Sequence, residues 1–133
     1  MKIKNYEIKK IVTDLSSKES FMNTNSNELP ISLLWDISNN FDKLLSLSEK
    51  IDKMVEDIQN QFSSDEFSEP AIENGKEIGR RIKMEYEKDF SEKIDALMKI
   101  ENEIDINMVN INSINNLSLS GKDFQSIKFM ITK

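Results

Sequence analysis

The chain has 133 residues with a net charge of −6, and its apolar and charged fractions are 38% and 32%, with only 3 Gly and 2 Pro. That balance is too apolar for a disordered chain and too charged for a membrane protein, and it points to one helix-rich domain. The absence of Cys and His excludes disulfides, thiolate nucleophiles and cysteine-based metal sites, and it removes the commonest general base, so most catalytic templates have no residues to run on.

Residues 1–29 read as a head segment. Lys2 to Asn5 is strand-like, and Ile8, Ile11, Val12 and Leu15 then recur at i, i+3, i+4 and i+7, which predicts a helix with Asn5 as its N-cap. From Ser16 to Glu28 the periodicity is lost among Ser, Asn and Thr, with Phe21 and Met22 available to the core. Pro30 opens a long helix over residues 30–62, since its missing N–H would be unpaired in a first turn anyway, and Asn27 or Glu28 stands ahead of it as a capping residue. Leu34, Phe41, Ser48, Val55 and Phe62 fill one heptad position and Ile37, Leu44, Ile51 and Ile58 the other. So narrow a stripe wants one partner helix. The run Ile31, Leu33, Leu34, Trp35 and Ile37 widens it early on, which places Trp35 in the core or at its edge.

Residues 63–76 break the pattern and form an acidic turn. A second long helix is expected over 77–102, its stripe being Ile78, Ile82, Tyr86, Phe90, Ile94 and Leu97, and the two helices then pair as an antiparallel hairpin. Residues 103–133 change period. Ile104, Ile106 and Met108 alternate with polar neighbours, Val109 and Ile111 shift the phase, and a strand with a bulge results. Ser120 with Asp123 fits the start of a short terminal helix bearing Phe124 and Ile127, while the alternation of Ile127, Phe129 and Ile131 also fits a terminal strand. The two strand-like chain ends are expected to meet in a small sheet. The fold class is α+β and mostly helical: a long antiparallel helical hairpin on a small head built from the N- and C-terminal segments.

A pI near 4.8 argues against direct nucleic-acid binding, which needs a basic footprint, and favours protein partners. The N-terminus carries charge with no apolar run behind it, so neither export nor membrane anchoring is expected. The 18 Ile, 16 Lys and 14 Asn against 2 Arg and 2 Ala match the codons of an AT-rich genome, as in low-GC bacteria and their phages.

The Lys-Ile-Asn start opening a short helix, the proline-led long helix, the acidic linker, the second helix, the segment Glu103-Ile104-Asp105-Ile106 and the ending Leu117-Ser118-Leu119-Ser120-Gly121-Lys122-Asp123-Phe124 together resemble small uncharacterised proteins of phages and prophages from low-GC Gram-positive bacteria. The likeness spans most of the chain. It implies a viral or mobile-element origin and an interaction role, and it carries no catalytic residues.

The candidate binding residues lie in and after the turn. Asp65, Glu66, Glu69 and Glu73 surround Phe67, a pattern in which an exposed ring anchors and carboxylates steer toward a basic groove; a solvated loop with Phe67 folded back on the hairpin accounts for the same residues. Arg80 and Arg81, the only arginines in a lysine-biased chain, have the fork that suits carboxylate or phosphate; helical salt bridges to Glu77, Glu85 and Glu87 account for them equally. Carboxylates at i, i+4 (Asp52 with Glu56, Glu73 with Glu77, Glu85 with Asp89) read as solvated helix surface, so neither a metal nor any other cofactor is expected. The expected function is therefore a non-enzymatic phage-encoded inhibitor or modulator in the cytoplasm of a bacterial host, anti-CRISPR-like in blocking a nucleic-acid-handling defence nuclease. Its expected partner is a host protein with a basic groove, with a homodimer left open. A virion scaffold or assembly chaperone is the alternative.

Overall fold

The computed structural model describes residues 1–16, 29–114 and 121–132. The chain divides into two compact units, Met1–Ser48 with Glu101–Lys133 and Glu49–Ile100. The class is α+β and mostly helical, with three separate two-stranded sheets.

In the first unit, strand β1 (Lys2–Lys4) leads directly into helix α1 (Asn5–Ser16). Ile8, Val12 and Leu15 are buried on one face of α1, as their spacing requires. Asn5 begins the helix, and its Oδ1 accepts a hydrogen bond from Asn102 Nδ2 at 2.7 Å. Helix α2 (Ile31–Gln61) starts just after Pro30, whose carbonyl accepts the first two helical bonds, from Leu33 and Leu34. Pro30 thus caps the helix from outside its first turn. Residues 31–48 of α2 belong to this unit and 49–61 to the other.

The heptad stripe of α2 is largely enclosed, with Ile37, Leu44, Ser48, Ile51 and Phe62 buried and Leu34, Phe41, Val55 and Ile58 half-buried. The widened start is not. Leu33 and Ile37 face the core, and at 100° per residue Trp35 points about 200° away from both, and Ile31 about 200° from Leu33. Ile31 is 82% exposed and Trp35 68%, which corrects the expectation that Trp35 lies in or beside the core.

Strand β4 (Glu101–Glu103) pairs antiparallel with β1 in the register Lys2↔Glu103, Ile3↔Asn102 and Lys4↔Glu101. Residues 104–108 make no ladder even though Ile104 and Ile106 are buried. Side chains from α2 hold that backbone instead: Asn40 Nδ2 donates to Asn107 O at 2.9 Å, Asn107 N donates to Asn40 Oδ1 at 2.7 Å, and Lys43 Nζ donates to Asp105 O at 2.6 Å. Strand β5 (Val109–Asn110) follows, shorter than the expected strand. Its neighbour is a short strand at the end of the described chain, preceded by a short helix and a 3-10 turn (Lys128–Met130).

That last segment is both things its sequence allowed, since helix α4 (Gly121–Ile127) buries Ile127 and strand β6 (Ile131–Thr132) pairs parallel with β5. The chain-end strands do not pair with each other; β1 takes β4 and β6 takes β5. Phe21, Met22, the capping roles of Asn27 and Glu28, and that of Ser120, lie outside the described residues.

In the second unit the later part of the expected turn and the first quarter of the expected second helix are a β-hairpin. Strand β2 (Ser68–Glu73) pairs antiparallel with β3 (Lys76–Ile82) across Asn74 and Gly75. Both turn residues have positive φ, +53° and +78°, as a two-residue hairpin turn whose twist matches the strands requires. A register shift falls at Ala71/Ile72, opposite Gly79, which has φ +147°. No helix can pass through that backbone, and so helix α3 begins only at Met84 and ends at Met98. At 15 residues it is half the length of the 31-residue α2. Glu85 and Glu87 in its first turn complement the helix dipole where Lys83 supplies no side-chain cap.

Candidate protein-binding surface

Charge is divided unequally between the units. Residues 49–100 carry 14 acidic and 9 basic side chains, a net of −5, while the remainder carries 10 and 9, a net of −1. Every candidate residue named from the sequence lies in the acidic unit, where an aromatic cluster holds the parts together.

Phe62, one residue past the end of α2, is the hub of that cluster. Its ring centroid is 5.4 Å from Phe67 and 5.5 Å from Phe90, and Phe67 is in turn 4.8 Å from Tyr86 in an edge contact. These tilted and edge-on arrangements bring ring edges onto neighbouring faces, which favours each pair beyond its buried area. Phe67 is thereby half-buried in its own unit. The expectation of an exposed anchor at this position is corrected: the ring is a wall of the unit, and the backbone explains why. Phe67 N and Ser68 N both donate to Ser64 O, and Lys83 N donates to Phe67 O at 2.8 Å, so the segment curls back onto the base of the hairpin.

The candidate charges come together, but as partners of one another. Arg80 Nη2 donates to Asp65 Oδ1 at 2.7 Å and to Ser68 O at 3.0 Å, while Arg80 Nε donates to Ser68 Oγ at 2.9 Å. Ser68 is 3% exposed and passes its own proton back to the carbonyls of Ser63 and Ser64. One guanidinium thus ties the hairpin base to the loop after α2. Arg81 Nε donates to Glu69 Oε1 at 2.9 Å, the pair being directly opposite across the ladder. The helical salt bridges weighed for these arginines are replaced by cross-strand and loop contacts, because residues 80 and 81 lie on a strand. Glu73 and Glu77, read as one turn apart on a helix, flank the hairpin turn on opposite strands instead.

Asp65 and Glu69 are therefore neutralised locally, and Glu66 and Glu73 remain exposed with no ion pair among the described residues. No group of three or more acidic side chains is placed to hold a metal among the described residues. No helix of the described residues is long and apolar enough to cross a membrane.

Two clefts share Phe62 in their linings. One, of about 350 Å³, is lined by Phe62, Phe90, Ser68, Arg80, Arg81 and Ile82 together with the end of α2. The other, of about 660 Å³, is lined by Gln61, Phe62, Phe67 and one face of α3 formed by Asp89, Glu92, Lys93 and Ala96. Lys93 Nζ lies 5.5 Å from the Phe62 ring centroid and donates to Gln61 Oε1 at 3.0 Å. Of this α3 face the sequence marks Asp89 only as one of a solvated pair with Glu85, and Glu92, Lys93 and Ala96 not at all. Their i, i+3, i+4, i+7 spacing was the available signal, hidden because three of the four are charged.

Comparison with protein-family models, with curated proteins and with solved structures found no match for the chain.

Proposed function

We propose that the protein is a non-enzymatic, phage-encoded inhibitor or modulator that binds a host protein in the bacterial cytoplasm, using the acidic unit against a basic groove. A nucleic-acid-handling defence nuclease, the target of an anti-CRISPR-like inhibitor, is the kind of host protein that carries such a groove. The observation that carries this reading is the charge partition, with a net of −5 in residues 49–100 and −1 elsewhere. A field concentrated on one unit steers encounter with a basic surface and orients it. The absence of His and Cys and the lack of an acidic metal cluster among the described residues also favour binding over chemistry.

The test is capture of a partner from a low-GC host lysate with the full chain, followed by binding kinetics against the captured protein. Association should slow as salt rises, and Glu66→Lys with Glu73→Lys should lower the association rate by about tenfold or more at low salt with the fold unchanged. Nucleic acid should compete for the same partner. Binding indifferent to salt, to the double variant and to nucleic acid would overturn the reading, and a large closed homo-oligomer would favour the virion-assembly alternative.

A further inference from the structure

The larger cleft beside Phe62 has the composition of a receptor for one cationic side chain. Its apolar wall comes from Phe62, Phe67 and the small Ala96, and its rim from Asp89 and Glu92, about one helical turn apart on α3. The Asp89 carboxylate makes no ion pair or hydrogen bond among the described residues, and the ion pair of Glu92 is a long 3.9 Å contact to exposed Lys88. Lys93 is the only cation in the lining, and its ammonium turns to Gln61 and the face of Phe62 rather than to either carboxylate. The cleft therefore pairs two poorly neutralised carboxylates with an aromatic face that already accepts a cation at a distance where cation–π attraction operates.

We propose that this cleft receives an arginine side chain projecting from the basic partner, its stem against Phe62 and Phe67 and its guanidinium between Asp89 and Glu92. This rests on the protein-binding reading above and supplies the anchoring contact that Phe67 was expected to make from the opposite direction. An apolar occupant would strip water from the two carboxylates with no compensation, and an anionic one would meet them as like charges. Arginine suits the site better than lysine because its planar fork both stacks on a ring and bridges two carboxylates. Lys93 acts as an internal competitor for the ring face.

The experiment uses the full-length chain, isotope-labelled, titrated with capped Gly-Arg-Gly and with the norleucine and glutamate analogues of that tripeptide. The Phe62 and Phe67 ring signals and the Ala96 methyl should move with the arginine peptide and saturate in the millimolar range, with the norleucine peptide about tenfold weaker and the glutamate peptide silent. Asp89→Asn with Glu92→Gln should weaken the arginine peptide at least about threefold. Lys93→Gln should tighten it by more than Lys99→Gln, which makes the same charge change outside the cleft. Equal affinity for norleucine, equal effects of the two lysine variants, or shifts that appear elsewhere in the molecule would each overturn the proposal. So would concentration-dependent shifts at the cleft without peptide, which would assign it to a second copy of the chain. If the Asp89→Asn and Glu92→Gln variant binds the captured partner like wild type while the Glu66→Lys and Glu73→Lys variant does not, the cleft fails and the protein-binding reading stands.

Discussion

Asn40 offers the sharpest perturbation of the first unit, because a fully buried amide there does the work of a missing β-strand. Its side chain is 0% exposed, donates to Asn107 O at 2.9 Å, accepts from Asn107 N at 2.7 Å, and has its Nδ2 3.4 Å from Met130 Sδ. Asn40→Ala leaves both backbone groups of Asn107 without a partner. An unmet buried polar group costs about 1–3 kcal/mol, and Asn107 is itself half-buried so that water can reach part of it, which puts the expected loss at about 2–4 kcal/mol. For a unit of this size, that lowers the thermal midpoint by roughly ten degrees or more.

The assay is urea unfolding by circular dichroism together with amide exchange, in which protection should fall first over residues 104–109. Asn40→Asp separates hydrogen bonding from size: it keeps the acceptor for Asn107 N–H but sets a carboxylate oxygen against Asn107 O. Burial raises the pKa of such a carboxyl, so the variant should be least impaired in acid and lose stability as pH rises through the carboxylate range. A loss below about 0.5 kcal/mol for Asn40→Ala, with unchanged exchange over 104–109, would refute the clamp.

Arg80→Lys keeps the charge but loses the fork that spans Asp65, Ser68 O and Ser68 Oγ. Because Asp65 is 98% exposed its ion pair counts for little, and the expected loss of about 1–2 kcal/mol comes from the two bonds to buried Ser68. Amide exchange should rise over Ser68–Ile82 alone, and an exchange pattern identical to wild type would refute the role. At the β1–β4 ladder, the Met1 ammonium donates to Glu103 Oε1 at 2.9 Å and, with the charge attraction between them, holds the Glu103 carboxyl below its usual value. A carboxyl depressed in the folded state contributes stability that is present above its unfolded pKa and is lost as pH falls through the folded value. A carbon-detected titration should place Glu103 below the ordinary glutamate value, and Glu103→Gln should remove that part of the acid dependence; an ordinary titration midpoint would contradict the pairing.

The long helix was legible because thirty residues of repeated spacing leave little room for another element: residues 30–62 were expected and Ile31–Gln61 is found. The same reasoning failed at Ile78, Ile82 and Tyr86, whose i, i+4, i+8 spacing imitates a helix stripe. Two local features outweighed it, the Asn74–Gly75 turn and Gly79, and both are backbone constraints that a hydrophobic pattern does not register. Asn-Gly between Ser68–Glu73 and Lys76–Ile82 is a strong hairpin signal, and it was readable only if the turn was weighed before the stripe. Trp35 failed for a different reason. Its burial was inferred from a cluster of apolar neighbours, and nothing in local sequence says on which sides other elements pack.

The candidate site shows the same division between composition and register. Sequence marked Asp65, Glu69, Arg80 and Arg81 as unusual, and all four fall within one hairpin and its loop, but only the cross-strand register makes Arg81 the neighbour of Glu69 and sets Arg80 against Ser68. Once those arginines are committed inside the unit, they cannot serve as an independent basic patch, and the carboxylates that they bind contribute little to the outward field. The net charge is unchanged by this pairing; its location is not. What faces solvent as uncompensated negative charge shifts from Asp65 and Glu69 toward Glu66 and Glu73 at the hairpin and Asp89 on α3, and the last of these stands on the rim of the one described cleft with a cation already laid over its ring. If the proposed basic partner is drawn to the unit by its net charge and anchored in the proposed cleft, the two sets of variants, at Glu66 with Glu73 and at Asp89 with Glu92, should separate association rate from dissociation rate.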